Sequence, residues 1–310
     1  MRVAVTGGSG FIGSHVVDHL MAAGHEVVVL DTAPPQSLGA EHRPVNLLDG
    51  EAMIEATRDV EAVFHLAAYA DVNDVVRDPA GAIALNIGGT MNVLEAAKAN
   101  GLQRVILAST VWVYSSYKPE YDGELVGEDV LMSVDANRHV YTTTKIASEM
   151  LCHDYWNMHK VPFTILRYGI PYGPRMRPSL VLPIFVRKAL AGETLTVTGD
   201  GLQHRKFIYV EDLARGHVLA LGEAGKNQTF NLDGTEKVTI LQIAETALKL
   251  TGATQPIEHG PARPGDYGGV EVSSQHAKDV LGWEPRMNWE DGSKKTVAWL
   301  MEQAAVAAAR

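Results

Sequence analysis

Tyr141 and Lys145 stand four residues apart in Tyr141-Thr142-Thr143-Thr144-Lys145, and Ser109-Thr110 precedes them at a distance. On a helix this spacing puts phenol and ammonium on one face, side by side. A neighbouring cation favours phenolate and draws a tyrosine pKa from about 10 toward neutrality. Tyr141 is then a usable general base. An isolated Y-x-x-x-K is common on helix surfaces, and three β-branched threonines are poor helix material. The pair gains weight only from what else the chain carries.

A second chemical stretch opens the chain. Val3-Ala4-Val5-Thr6 runs into a glycine turn with Gly7, Gly10 and Gly13, and an amphipathic segment from Ile12 to Ala23 follows. This reads as strand, phosphate loop and helix, with glycines letting backbone approach a pyrophosphate at the positive end of the helix dipole. The spacing is G-x-x-G-x-x-G. A second apolar run, Val27-Val28-Val29-Leu30, ends in Asp31, eighteen residues past Gly13, where a carboxylate would accept hydrogen bonds from ribose hydroxyls. No Arg or Lys follows until Arg43, so NAD is favoured over NADP.

The elements that must position these groups alternate. Strand-like runs at 2–6, 26–31, 60–66, 104–109 and 162–168 are separated by helix-period segments, one spanning about Asp78 to Asn100. Parallel strands need such crossovers, so the expected fold is an α/β, Rossmann-type doubly wound parallel sheet. Pro171, Gly173, Pro174 and Pro178 punctuate the way into a smaller C-terminal α/β substrate lobe. The expected division is 1–169 plus about 206–234 for the dinucleotide domain, 170–205 plus 235–285 for the substrate lobe, and 286–310 for a terminal helix and tail. The tail after Gln303 is expected to fray, with Trp283 and Trp289 anchoring the terminal helix.

With 27 basic and 37 acidic residues among 310, the chain carries a formal charge of −10, which argues against nucleic acid or an anionic membrane as partner. A single cysteine, Cys152, excludes an internal disulfide and suits a reducing compartment. No run approaches the roughly 20 apolar residues of a membrane span, and a strand at the N-terminus leaves no room for a signal peptide. A cytoplasmic protein is expected. No histidine or carboxylate spacing suggests a metal, and lone residues such as His65 and His217 read as packing residues.

The motifs, taken in order, resemble those of the extended short-chain dehydrogenases, specifically the NAD-dependent nucleotide-sugar epimerase/dehydratase family, with UDP-glucose and UDP-glucuronate 4-epimerases the nearest types. Thr6-Gly7-Gly8-Ser9-Gly10-Phe11-Ile12-Gly13 is similar to its T-G-G-x-G-F-I-G loop. Phe64-His65-Leu66-Ala67-Ala68 resembles its H-L-A-A turn under the nicotinamide, and Asn86 opens a match to its N-x-x-G-T-x-N-x-L-E helix. Asn46-Leu47 stands where the family has an acidic residue near the adenine. Leu166-Arg167-Tyr168 with Tyr172-Gly173-Pro174 resembles its link into the substrate lobe. Arg205 and Arg263 fall where family arginines meet a sugar-nucleotide diphosphate, a suitable partner for a planar, permanently charged fork.

The resemblance implies transient oxidation: Tyr141 takes a proton from a sugar hydroxyl, usually at C4, while hydride passes to NAD, Thr110 shares the hydrogen bond, and Lys145 lowers the Tyr141 pKa and holds the nicotinamide ribose. It also implies cofactor contacts at Ser109 and Tyr168, and a homodimer packed through helices near 85–100 and 141–158. The family's dehydratases carry Asp-Glu after the threonine, and its decarboxylases a glutamate near there; here Val111 and Trp112 supply neither acid nor base. Epimerization needs no further acid or base. Trp112 would project a ring near the sugar, Ile170 replaces the family's substrate-binding Asn, and Arg138 and His139 precede the tyrosine. Two alternatives stay open: a net NAD-dependent dehydrogenase or ketoreductase, and a non-catalytic NAD sensor.

Overall fold

The computed structural model describes residues 1–117, 124–131, 139–261 and 270–309, and the chain divides into two compact units. The first comprises Met1–Tyr168, Leu213–Leu232 and Val270–Glu284. Its strands are β1 (Arg2–Thr6), β2 (Glu26–Leu30), β3 (Glu41–Arg43), β4 (Ala62–His65), β5 (Arg104–Thr110), β6 (Phe163–Tyr168) and, later in the chain, β10 (Gln228–Leu232). They form one sheet in the order β10-β6-β5-β4-β1-β2-β3, every neighbouring pair parallel. Val3, Ala4 and Val5 are fully buried, as a strand covered on both faces requires. The strand order reverses between β1 and β4, and in such sheets ligands bind outside the carboxyl ends of the strands at that point. The glycine turn leaves β1 there, and Leu66-Ala67-Ala68 leaves β4.

The helices of this unit are α1 (Phe11–Ala22), α2 (Gly50–Ala56), α3 (Val72–Arg77), α4 (Pro79–Ile83), α5 (Gly89–Asn100), α6 (Val140–His159), most of α8 (Val210–Ala220) and α10 (Gln275–Leu281). The single helix expected over 78–100 is instead α4 and α5 joined by a π turn at Ala84–Gly88. The widened turn carries Asn86, whose side chain bonds both the N–H and the carbonyl of Tyr69. Helices α2, α5 and α6 cover one face of the sheet, with Met53, Leu94, Cys152 and Phe163 in that core; burial pushes the Cys152 thiol up, away from reactivity.

The second unit comprises Gly169–Asp212, Asp233–Gly269 and Pro285–Arg310. It contains β7 (Ile170–Tyr172), β9 (His204–Tyr209) and β11 (Lys237–Thr239) in the order β11-β9-β7, with β8 (Leu195–Thr198) paired to β12 (Ile257–Gly260). Helices α7 (Val181–Leu190), α9 (Ile240–Thr251) and α11 (Trp289–Ala308) complete it. Residues 206–212 thus group with the second unit and 270–284 with the first, unlike the division expected above. Trp289 anchors α11, its ring 4.8 Å from Tyr172 and 5.4 Å from Phe207. Trp283 is fully buried in the first unit, against Gly216 of α8. The alanine-rich tail stays helical through Ala308, in keeping with alanine's propensity. Among the described residues no helix is long and apolar enough to cross a membrane.

Candidate functional site

The glycine turn is a cradle that side chains would fill. Gly7 has φ +69°, and a Cβ there would lie 2.8 Å from the backbone nitrogen of Ala67; a Cβ on Gly13 would lie 2.1 Å from the Gly7 carbonyl oxygen. Gly10 N–H donates to that same carbonyl at 3.0 Å and starts α1, so Phe11, Ile12 and Gly13 form a first turn whose N–H groups face the loop. Asp31 follows the end of β2, its two carboxylate oxygens accepting from Ser9 N–H and Ala33 N–H, each at 3.1 Å. Arg43, the next basic residue, is bound to Asp59 at 2.6 Å and Glu41 at 2.7 Å. Asn46 is exposed and its Oδ1 accepts from Leu48 N–H, while the buried Leu47 packs against Gly89. These features suit a dinucleotide with unsubstituted ribose.

A hydrogen-bond chain connects this cradle to the helix that carries Tyr141. Thr6 Oγ1 accepts from Ala67 N–H at 3.2 Å and meets His65 Nδ1 at 2.8 Å. Thr90 Oγ1 donates to the Asn86 carbonyl at 2.6 Å and so accepts from His65 Nε2 at 3.0 Å, which fixes the His65 tautomer with its proton on Nε2. Burial holds His65 neutral, its pKa near 3. Asn86 accepts from Tyr69 N–H at 2.7 Å and donates to the Tyr69 carbonyl at 3.1 Å and to Thr144 Oγ1 at 3.0 Å. Sequence reasoning named Asn86 and treated His65 as packing; it missed that His65 and Thr90 brace the turn, a role no single motif spells out.

Tyr141 and Lys145 lie on the first two turns of α6. His139 caps that helix, its Nδ1 accepting from Tyr141 N–H at 3.2 Å. Thr142 and Thr144 are buried and Thr143 exposed; Thr144 Oγ1 donates to the Tyr141 carbonyl within the helix and accepts from Asn86, so tertiary use overrides the threonines' poor propensity. Lys145 Nζ sits 6.0 Å from the Tyr141 ring centroid and donates to the Ala108 carbonyl at 2.9 Å. Burial brings its pKa down to about 8, and the Glu149 carboxylate one turn on opposes the fall. Trp112 stands edge-on to the Tyr141 ring at 6.4 Å and to His139 at 6.2 Å, and Thr110 Oγ1 accepts from Trp112 N–H.

Two residues expected at the cofactor, Ser109 and Tyr168, have hydroxyls that bond within the protein. Ser109 Oγ donates to Glu149, and Tyr168 hydrogen-bonds His217 Nε2, the opposite ring nitrogen of His217 donating to the Leu213 carbonyl at 2.9 Å. Burial raises Tyr168 well above the ordinary tyrosine range, so it is a neutral donor. In the second unit Ile170 pairs with Phe207 in the sheet, and Arg205 on β9 lies opposite Val238 of β11, its Nη1 donating to the His204 carbonyl. Arg138 and Arg263 lie outside the described residues. Among the described residues no His, Cys, Asp or Glu cluster is arranged to hold a metal. The first unit therefore unites a dinucleotide cradle with a tyrosine beside a buried ammonium.

The chain is similar to known proteins over nearly its whole length. The chain is 32% identical to the UDP-N-acetyl-alpha-D-glucosaminuronate decarboxylase of Bacillus cytotoxicus, over 97% of this chain and 98% of that protein. The crystal structure of UDP-glucose 4-epimerase from Thermotoga maritima with UDP-glucose matches with a TM-score of 0.90 at 32% identity, covering 98% of this chain and all of the other. UDP-glucose 4-epimerase of Thermus thermophilus, solved as a complex with NAD, matches with a TM-score of 0.87 at 32% identity over 97% and 99% of the two chains. A family model matches residues 3–233, which hold the glycine cradle, Tyr141 and Lys145, and the chain belongs to the NAD dependent epimerase/dehydratase family.

Proposed function

We propose that this enzyme is an NAD-dependent epimerase of a nucleotide-activated sugar, acting at C4 of a UDP-hexose or UDP-uronate through a transient 4-keto sugar. The observation that carries the reading is Tyr141 beside the buried Lys145 ammonium, with Val111 and Trp112 next to Thr110 in place of any further acid or base. Gly7, Gly10, Phe11, Ile12 and Gly13 would hold the NAD pyrophosphate and Asp31 the adenosine ribose. Asn46 and Leu47 would flank the adenine, and Leu66, Ala67, Ala68 and Asn86 the nicotinamide half. Bound there, NAD supplies a hydride acceptor that is also the donor for the return step.

The chain's own groups handle the proton and the orientation. Tyr141 Oη takes the proton of the C4 hydroxyl and later returns it, so the same group serves as base and acid. Thr110 orients that hydroxyl, Lys145 stabilises the phenolate, and Trp112 lines the sugar side of Tyr141. Arg205 and Arg263 are assigned to the diphosphate, with Ile170 at the same end of the substrate. Both faces of C4 are served if the keto sugar turns over before the return, and no second acid–base pair is needed. A single buried thiol suits a reducing cytoplasm.

The test is proton NMR of the purified protein with UDP-glucose, UDP-galactose and UDP-glucuronate in separate tubes, with and without added NAD. The expected result is the C4 epimer's anomeric signal without net change in NAD. Accumulation of a keto sugar with stoichiometric NAD reduction would instead give the dehydrogenase reading, and a pentose product would give the decarboxylase chemistry of the Bacillus relative.

A homodimer is part of the proposal. Met91 on α5 and Met150 and Met158 on α6 are 46%, 61% and 65% exposed, apolar side chains that a second copy would cover. Sedimentation equilibrium at micromolar concentration is expected to return twice the chain mass; a monomer there removes the dimer from the proposal.

A further inference from the structure

The end of β5 holds two charged side chains of α6 by consecutive residues. The Ala108 carbonyl accepts from Lys145 Nζ, and the Ser109 hydroxyl donates to the Glu149 carboxylate, which is 4% exposed. Arg167 on β6 grips the same carboxylate through Nη2 at 2.7 Å and Nε at 3.1 Å. Arg167 Nη1 also donates to Tyr114 Oη at 2.6 Å and to the Glu128 carbonyl at 3.1 Å, and Tyr114 donates on to Asn231 Oδ1 at 2.8 Å. Every group in this chain is buried or half-buried, where charges are screened less than in water.

We propose that Glu149, fixed by Arg167 and Ser109, is the counter-charge that keeps Lys145 a cation inside the protein, and is in that sense a positioning residue for Tyr141. The inference rests on the reading of Lys145 as the ammonium beside the base. A lysine 6% exposed loses most of its hydration, and desolvation favours the neutral amine. Among the described residues the charged and titratable groups around it are Tyr141 and Glu149 on its own helix, the neutral His65 at the end of β4, and Arg167 beyond Glu149 on β6. Glu149 is, among the described residues, the one carboxylate that influences Lys145, and at i+4 it faces the same side of α6. Arg167 is held off by Glu149 itself. Without the carboxylate, two buried cations would face each other, and Lys145 is the one able to give up its proton. The phenolate would then lose its partner.

The experiment is a carbon-13 NMR pH titration of the lysine side chains in the full, NAD-saturated protein, the Lys145 signal being assigned by its loss in Lys145→Met. Wild-type Lys145 is expected to titrate near 8, and Glu149→Gln is expected to move that midpoint down by about one unit or more. Glu149→Asp, which retains the charge, should restore it. If Glu149→Gln fails to fold, the double variant Glu149→Gln/Arg167→Met avoids a stranded buried guanidinium and should still show a smaller downward shift. A packing role alone would lower the yield of folded protein and leave the midpoint in place. An unmoved midpoint in either variant, or a wild-type Lys145 titrating like an exposed lysine, overturns the inference. The readout does not depend on turnover, so a chain that fails to epimerize any sugar would refute the reaction above without touching this result.

Discussion

Tyr141→Phe is expected to lower turnover by about 10²–10⁴-fold, the range that a positioned general base contributes. The substitution removes one oxygen and little else. The ring keeps its edge-on contact with Trp112 and its place on α6, and the cap from His139 goes to the backbone nitrogen, which Phe retains. Loss of the hydroxyl should leave the fold and the glycine cradle intact, so NAD content per chain is expected to match the wild type. The two quantities are measured together: epimer formation by NMR, and bound dinucleotide by its absorbance after release. Turnover within tenfold of wild type would mean that the proton is taken elsewhere. A protein that only senses NAD would form no epimer before or after the substitution and keep its NAD content, which separates an enzyme from a sensor in one comparison.

The parts of this molecule that the sequence made legible are those whose physics is local. A buried parallel strand is a short β-branched run, a phosphate cradle needs glycine at fixed spacing, and a helix places Tyr141 and Lys145 on one face regardless of context. The π turn at Ala84–Gly88 was not legible, because its cause is tertiary: Asn86 is drawn toward Tyr69 and Thr144, residues 17 and 58 positions away. Strand β3 was missed for a similar reason, since Glu41-His42-Arg43 has no apolar alternation and is held by its partner β2 at the sheet edge. The partners of the Ser109 and Tyr168 hydroxyls illustrate a second limit. Their hydrogen bonds go to Glu149 and His217, residues that are 40 and 49 positions away and invisible to spacing. Grouping of 270–284 with the first unit likewise depends on contacts that a proline-rich boundary conceals: Val126 bridges Val272, and Asn231 Nδ2 donates to the Ser273 carbonyl at 3.1 Å.

Gly13→Ala tests the cradle with the least possible addition, a single methyl group, and its expected effect on cofactor binding is large. The new Cβ would sit 2.1 Å from the Gly7 carbonyl oxygen and 2.9 Å from Gly8 Cα, both backbone atoms that cannot swing aside. Movement of α1 is opposed by Val16, Val17 and Leu20, which are fully buried against the sheet. Movement of the loop is opposed by Gly7 N–H, which donates to the Leu30 carbonyl at 3.1 Å, and by Gly10 N–H on the Gly7 carbonyl. Overpacking of this kind costs about 1–3 kcal/mol, and the displaced loop would no longer aim its N–H groups at a pyrophosphate. NAD affinity is expected to fall by about a hundredfold or more, equivalent to about 3 kcal/mol, with a lowered melting temperature. Gly88→Ala is the matched control, because a Cβ there meets nothing within 4 Å and its backbone is already helical, at φ −62° and ψ −42°. That variant should bind NAD as the wild type does and be as stable or slightly more so. Calorimetric titration of both variants decides the matter: equal affinity for Gly13→Ala and Gly88→Ala would mean that the cofactor does not lie against the β1–α1 turn.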